Sequence, residues 1–571
     1  MTRARQLLIS ALLASSSLLG SPALAGPVDS RADAVRLFRA QKYAEAAQVY
    51  GELAKSNPYD GDAWGNWGYC LHAIKKYDDA IPAYLKAIEL GQNVPSNTYN
   101  LACAQALKGN KDESLKWLEK ALSARFAEQQ PLATDTDLDS LRSDPRFAAL
   151  TGLTKDLKAP VAATRDARWA WDLDFYARRM KQMHYSLYTK VSESAFRAEI
   201  ERLKKDIPSL TDDQARARLR IITATVGDGH TQSTLLPEGA TTQARLPLHM
   251  FAFKDGLYIM GAGKDQTALV GCKVLKFGPL DTAAAMNAVR PYISVDNDMG
   301  YLASGPAFLC NPIILAAIGA AKDQSGVELT ISTRDGKESK VTVSPVDTPT
   351  QRHAGRLFTP GFTYAHESSK AALPLYIKDT SKIHRMEYDS EHKLVYYWFG
   401  AVQDSPEDKL GDFAKKLFEF IETNGAEHLV IDMRFNGGGN TGLIQPLINA
   451  LIACKAVNRP GGGHLWVIIG RHTFSAAQNT VNLIDANTAA TFVGEPTGSR
   501  PHFIGESTYF ILPHSKTRVY CSSRYWQYMD STDDRCWVAP AIVAEMTFAD
   551  YANNRDPAMD AILEAIGGRG K

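Results

Sequence analysis

His428-Leu429-Val430-Ile431-Asp432-Met433-Arg434-Phe435-Asn436-Gly437-Gly438-Gly439-Asn440 is the stretch from which the fold is read. Its first five residues suit a buried strand, and the three glycines at its end let backbone N–H groups approach a reacting atom closely. Such amides can build an oxyanion hole. The same alternation continues on both sides, with strands expected at 394–398, 428–432, 464–470 and 491–494 and helices at 407–423, 441–454 and 476–486. This order predicts an α/β sheet covered by helices on its faces. After Gly470 the chain reads Arg471-His472-Thr473-Phe474-Ser475-Ala476-Ala477-Gln478, so Ser475 opens a helix. Free amides and the helix dipole there favour developing negative charge, as a nucleophile requires. Ser475 and Gln478 also have capping-box spacing, and read alone Ser475 fits a cap better than a nucleophile.

Four segments change that balance: Asp432-Met433-Arg434-Phe435-Asn436-Gly437-Gly438-Gly439, Thr473-Phe474-Ser475-Ala476-Ala477, Val493-Gly494-Glu495-Pro496-Thr497-Gly498 and Val538-Ala539-Pro540-Ala541-Ile542-Val543. Together they resemble the tail-specific, or C-terminal-processing, serine peptidase family. The likeness runs from about 169 to 566, specific in the C-terminal third and vague in the middle. It implies a ClpP/crotonase-like α/β core with Ser475 as nucleophile and an oxyanion hole from the amides of Gly437 or Gly438 with Ala476. Family members with a Ser/Lys pair carry a lysine just after the Gly-Glu-x-Thr-x-Gly run, where this chain has Ser499 and then Arg500. Arginine stays protonated and cannot act as a base. The resemblance is therefore to the tricorn-core-like branch, which uses Ser, His and an acid. There the base is a histidine after an N-terminal helix, matched by His230 in Val226-Gly227-Asp228-Gly229-His230-Thr231. An imidazole with a pKa near 6.5 can take the serine proton and return it to a leaving amine; taken alone, His230 fits a structural turn. The branch also implies Asp534, six residues before Pro540-Ala541-Ile542, as the acid that orients the imidazole. Glutamate is commoner at that place, an acid is commoner where Ala541 stands, and Asp533 is an adjacent rival.

Towards the N-terminus, Ala46, Ala80 and Ser114 are spaced 34 residues apart, as are Tyr50, Tyr84 and Leu118, and Ala34, Gly68 and Ala102. Bulky and small contacts repeating at that period are expected where paired helices stack. The region resembles tetratricopeptide repeats, best in the middle copy with Trp64, Gly68, Ala80, Tyr84 and Ala87. An all-α solenoid over 26–124 is thus expected, its concave face open to a partner protein or else serving as a stabilising cap. A linker is expected at 125–160, a helical segment carrying His230 at 161–235, a small α+β domain at 236–345, PDZ-like or ordinary, and the catalytic core at 346–571.

The first residues carry Arg3 and Arg5, an apolar run over 7–19 and Ala23-Leu24-Ala25, which reads as a signal peptide cut after Ala25. That run is too short and too serine-rich to span a membrane, and no later stretch is long enough, so a periplasmic or secreted mature protein is expected. Export permits disulfides, and Cys521 with Cys536 is the favoured pair among seven cysteines. With 64 Lys+Arg against 63 Asp+Glu there is no net field to attract nucleic acid. HExxH and CxxC are absent and Gly461 to Gly463 lack the Lys-Ser/Thr of a phosphate loop, so no metal or cofactor is expected. The functional expectation is an exported endopeptidase acting on protein or peptide substrates. Its competitors are an inactive peptidase fold that binds partners through the repeats, and hydrolysis of an ester or a peptidoglycan-linked amide.

Overall fold

The computed structural model describes residues 27–123, 132, 134–153, 163–350 and 357–568. The expected signal peptide lies outside them, as does much of the expected linker. The chain forms two compact units that divide after Phe147. Among the described residues no helix is long and apolar enough to cross a membrane.

The first unit stacks six helices: α1 (Pro27–Arg39), α2 (Tyr43–Ser56), α3 (Gly61–Ala73), α4 (Tyr77–Glu89), α5 (Val94–Leu107) and α6 (Lys111–Ser123). The period of 34 is a helix pair whose small residues receive bulky ones. A Cβ on Gly68 of α3 would lie 2.8 Å from the ring of Tyr84 on α4. Ala46, Ala80 and Ser114 are all fully buried, and the serine hydroxyl is satisfied by donating to Ala102 O at 2.6 Å. The polar run expected as a linker is structured at its centre. Asp135 caps a 3-10 turn, Thr136–Leu141, and Leu138, Leu141 and Phe147 are buried with the repeats. Isolated leucines among aspartates gave no helical period, yet burying them closes the end of the solenoid.

The second unit begins with helices Arg165–Met183, Glu193–Asp206 and Asp212–Ala224, the last opened by a Thr211/Gln214 capping box. The strands that follow are β1 (Gln232–Pro237), β2 (Thr242–Arg245), β3 (Leu248–Phe253), β4 (Gly256–Ala262), β5 (Lys273–Phe277) and β6 (Leu280–Asp281). Next come β7 (Val327–Ser332), β8 (Glu338–Val343), β9 (Val346–Pro349), β10 (Thr363–Tyr364), β11 (His384–Asp389) and β12 (Leu394–Phe399). The last are β13 (His428–Asp432), β14 (Leu465–Ile469), β15 (Thr491–Gly494), β16 (Phe503–Ile511), β17 (Thr517–Trp526) and β18 (Ile542–Val543).

The core sheet has the order β11-β12-β13-β14-β15-β18, parallel except for the antiparallel β11/β12 pair. Successive side chains of a strand face opposite ways, so each strand serves two cores. Val395, Tyr397, Leu429, Ile431 and Val467 pack with helices Leu410–Asn424, Gln445–Ala453 and Ala476–Asn487. Tyr396, Trp398, Val430, Trp466 and Ile468 pack with Ala558, Met559 and Ile562 of helix Pro557–Gly568. Burial on both faces explains why these strands read as unbroken apolar runs.

The middle sheet pairs β10-β4-β5-β7-β8, with β3 also on β4 and β6 on β5. It reaches past the expected boundary at 345, because β10 pairs with β4 and Tyr551 from the C-terminal region joins its core. A third sheet, β1-β17-β16, was not foreseen. It holds the segment after His230 against the long β16–β17 hairpin. Cys521 is buried in β17 while Cys536 is exposed beyond the hairpin, with no bridge between them.

Candidate active site

Parallel strands β13 and β14 end side by side, so the loops that leave them meet. The turn after β14 carries Ser475 at φ 57°, ψ −124°, a conformation that costs a non-glycine residue about 1–3 kcal/mol. Its side chain makes no capping hydrogen bond, so the helix-cap reading fails. The strained turn is over-determined by its neighbours. Thr473 Oγ1 donates to Met433 O at 2.8 Å and accepts from Gly470 N at 3.1 Å, and Arg471 Nε donates to Glu495 at 2.8 Å. Below it, buried Arg434 donates through Nη1 and Nη2 to the two oxygens of Asp556 at 2.8 and 2.9 Å and through Nε to Asp432 at 3.0 Å. Tyr396 adds a 2.7 Å bond to Asp432. This network anchors the end of β13 from which the glycine loop departs.

His230 Nε2 lies 2.8 Å from Ser475 Oγ, although 245 residues separate them. Its imidazole is held between two rings, stacked on Phe474 with centroids 4.4 Å apart and on Phe503 at 5.4 Å. The preceding loop is fastened by two buried carboxylates. Asp228 Oδ1 accepts from the amides of His230 and Thr231 at 3.0 and 2.8 Å and from Ser522 Oγ at 2.7 Å, while its Oδ2 faces His184 Nε2 at 2.8 Å. Asp296 Oδ1 accepts from Gly229 N at 2.7 Å and Oδ2 from Ser499 Oγ at 2.5 Å. Gly229 is required by close approach, since a Cβ there would stand 2.7 Å from the Phe474 ring.

Burial pushes the His230 pKa below its usual 6.5, with Asp296 and Asp228 pulling the other way. The imidazole is thus neutral near pH 7 and able to accept a proton. Burial also raises the Asp296 carboxyl, while for Asp228 the burial effect is outweighed by its bonds from His184, Ser522 and Thr231 and the net shift is downward.

Gly438 packs directly under the nucleophile at φ 103°, where a Cβ would lie 2.8 Å from Phe474 O and Ser475 Cβ and 2.9 Å from Ala476 N. Its amide donates to Asn436 Oδ1 at 3.0 Å, so of the two glycine amides expected at the oxyanion hole that of Gly437 is the better placed to serve. Gly437 is exposed and surrounded by open space. The Ala476 amide stands in the first turn of its helix, where no intrahelical acceptor exists.

The tetratricopeptide repeat family matches residues 32–97 and 98–127. No curated protein matches the sequence. Among solved structures, mature CPAF complexed with lactacystin aligns over 71% of this chain and 99% of its own, with a TM-score of 0.51 and 13% identity. The chain joins tetratricopeptide repeats to a CPAF-like fold. The photosystem II D1 C-terminal processing protease aligns over 71% of this chain and 98% of its own at TM-score 0.33 and 12% identity. Tricorn protease aligns over 73% and 38% at TM-score 0.31 and 13% identity.

Within the CPAF-like unit the two residues at the lysine place have a different use. Ser499 binds the Asp296 carboxylate, and Arg500 Nε donates to Asp296 O at 3.0 Å. Asp534 is not brought to the imidazole. It is exposed on the connection between β17 and β18, and the Nδ1 of His230 is buried without a hydrogen-bond partner among the described residues. The rival Asp533 is spent on Arg535, at 2.8 Å, which in turn ties this connection to Asp485 at 3.0 Å. Asp228 and Asp296 went unremarked as site residues because each reads locally as a turn or loop residue, and His184 because it falls within the expected helical segment. Asp228, two positions before His230, carried the one available signal.

Proposed function

We propose that the CPAF-like unit is a serine peptidase in which Ser475 Oγ attacks the substrate carbonyl carbon and His230 Nε2 takes the hydroxyl proton. The observation that carries this reading is the 2.8 Å contact between those two atoms, made by a serine held at positive φ. A serine serving only as a helix cap needs neither feature. Amides of Ala476 and Gly437 receive the oxyanion, His230 returns its proton to the leaving amine, and water then releases the acyl group by the same steps in reverse. The imidazolium formed on the way is stabilised by the negative charges of Asp296 and Asp228. Asp296 acts on the ring as a nearby charge held by Gly229 N and Ser499 Oγ, and not through a hydrogen bond to Nδ1.

The repeats recruit a partner or substrate protein on their concave face, and the pattern over 1–25 directs the protein out of the cytoplasm. The test is hydrolysis of a proteome-derived peptide library by full-length protein. Cleavage is expected to vanish with Ser475→Ala and to fall at least about a thousandfold with His230→Ala; undiminished cleavage by either variant would overturn the assignment.

A further inference from the structure

The buried carboxylate that fastens the histidine loop has a second imidazole on its other side. His184 follows helix Arg165–Met183, its side chain is fully enclosed, and all but 6% of the Asp228 side chain is enclosed with it. Ser186 N donates to His184 Nδ1 at 3.0 Å, and a ring nitrogen that accepts a hydrogen bond carries no proton. The ring is therefore the neutral tautomer with its hydrogen on Nε2, and that hydrogen is donated to Asp228 Oδ2 at 2.8 Å.

The other oxygen is equally occupied. Asp228 Oδ1 accepts from the amides of His230 and Thr231 and from Ser522 Oγ, so four donors surround the anion and none of them is a cation. Among the described residues no lysine or arginine forms an ion pair with Asp228. Burial alone would push its carboxyl up, and its bonds, that from His184 foremost, bring it below the usual carboxylate range. Neutral donors favour the ionised form without cancelling its charge. A cationic partner would hold Oδ2 equally well and offset the charge that faces His230. The turn carrying His184 is also tied to the hairpin on the far side of the loop. Tyr185 N donates to Ser522 O at 2.9 Å, and Ser522 N donates to Thr231 Oγ1 at 3.0 Å.

We infer that His184 is a positioning residue for the reaction proposed above, on which this inference rests: as a neutral donor to Asp228 Oδ2 it locks the loop 228–231, and with it the His230 ring, in line with Ser475, and leaves the Asp228 charge free to stabilise the imidazolium. His184 acts through Asp228 and the loop backbone, and not on the substrate.

The experiment compares full-length wild type with His184→Gln, whose side-chain amide nitrogen reaches the place of Nε2 and can donate, and with His184→Met, which has no donor. Nitrogen-15 histidine spectra at neutral pH should show the His184 ring of wild type as the Nε2–H tautomer; the opposite tautomer overturns the inference. On a fluorogenic peptide, His184→Met is expected to lower kcat about 10- to 100-fold with KM within about twofold. His184→Gln should restore kcat to within about threefold of wild type. Equal losses in the two variants, the mark of packing alone, or a loss confined to KM would refute it. Hydrogen exchange supplies a readout that needs no turnover. The amides of His230 and Thr231 should lose protection about tenfold or more in His184→Met and keep it in His184→Gln; unchanged protection in His184→Met is a refutation. A wild type that shows this contrast yet neither cleaves peptides nor takes a fluorophosphonate would overturn the peptidase reading instead, with the anchor upheld. Should His184→Met fail to fold, His184→Asn decides, because its shorter amide stops at the place of Nδ1: a kcat equal to that of wild type contradicts the role of Nε2, and a fall of about tenfold or more supports it.

Discussion

Replacing Gly438 by alanine tests whether the glycine loop and the nucleophile form one packed device. The new Cβ would stand 2.8 Å from Phe474 O and Ser475 Cβ and 2.9 Å from Ala476 N, some 0.6 Å inside the 3.4 Å at which ordinary contact begins. Two costs add. Holding an alanine at φ 103° costs about 1–2 kcal/mol, and forcing the loops apart costs about 1–3 kcal/mol more. The combined loss of stability, about 2–5 kcal/mol, is measurable by urea denaturation. Relief of the clash moves Ser475 by roughly half an ångström, and since a 1 Å misplacement costs about a hundredfold in rate, kcat/KM is expected to fall about 10- to 100-fold. The control is Gly437→Ala, where a Cβ meets open space and the amide is kept. It should retain stability and activity within about threefold. The assay is kcat/KM on a fluorogenic peptide, with denaturation curves on the same preparations. If Gly438→Ala matches Gly437→Ala in both, the proposed packing of the glycine loop against Ser475 is wrong.

Three further outcomes follow from the site. Because burial lowers the His230 pKa and only the neutral ring can accept a proton, the acid limb of kcat/KM should have its midpoint below 6.5, with activity level from there to neutral pH; a midpoint above 6.5 contradicts the buried-base reading. Ser475→Gly should be more stable than Ser475→Ala by about 1 kcal/mol or more in denaturant, the reverse of the usual order, because glycine accepts φ 57° without strain. Asp296→Asn should lower kcat/KM by about a hundredfold or more while Asp534→Asn stays within about threefold; the opposite ranking would return the acid's role to Asp534.

What could be read from the sequence followed from how local its physical cause was. The buried strands β12 to β14 announce themselves because both faces are covered and every residue is buried, all but His428 and Asp432 being aliphatic or aromatic, and the 34-residue period survives because Gly68 and Tyr84 must fit each other. Ser475 and His230 were found through motif segments, and the structure brings the two side chains together. The β16–β17 hairpin stayed hidden because Glu506, at φ 58°, interrupts the pairing and polar residues occupy both faces of the strands. Asp296 was invisible for another reason. Its partners Gly229, Ser499 and Arg500 are 67, 203 and 204 residues away, and nothing local marks an aspartate that works through such contacts. Position relative to a motif chose Asp534, but Arg535 draws that connection toward Asp485.

The central claim is that one serine is an activated nucleophile, and covalent labelling addresses it most directly. A fluorophosphonate probe incubated with full-length protein, followed by peptide mapping, is expected to modify Ser475 alone, to give no adduct with Ser475→Ala and to react far more slowly with His230→Ala. An adduct on some other serine, or a Ser475 that ignores the probe while the protein is folded, would contradict it.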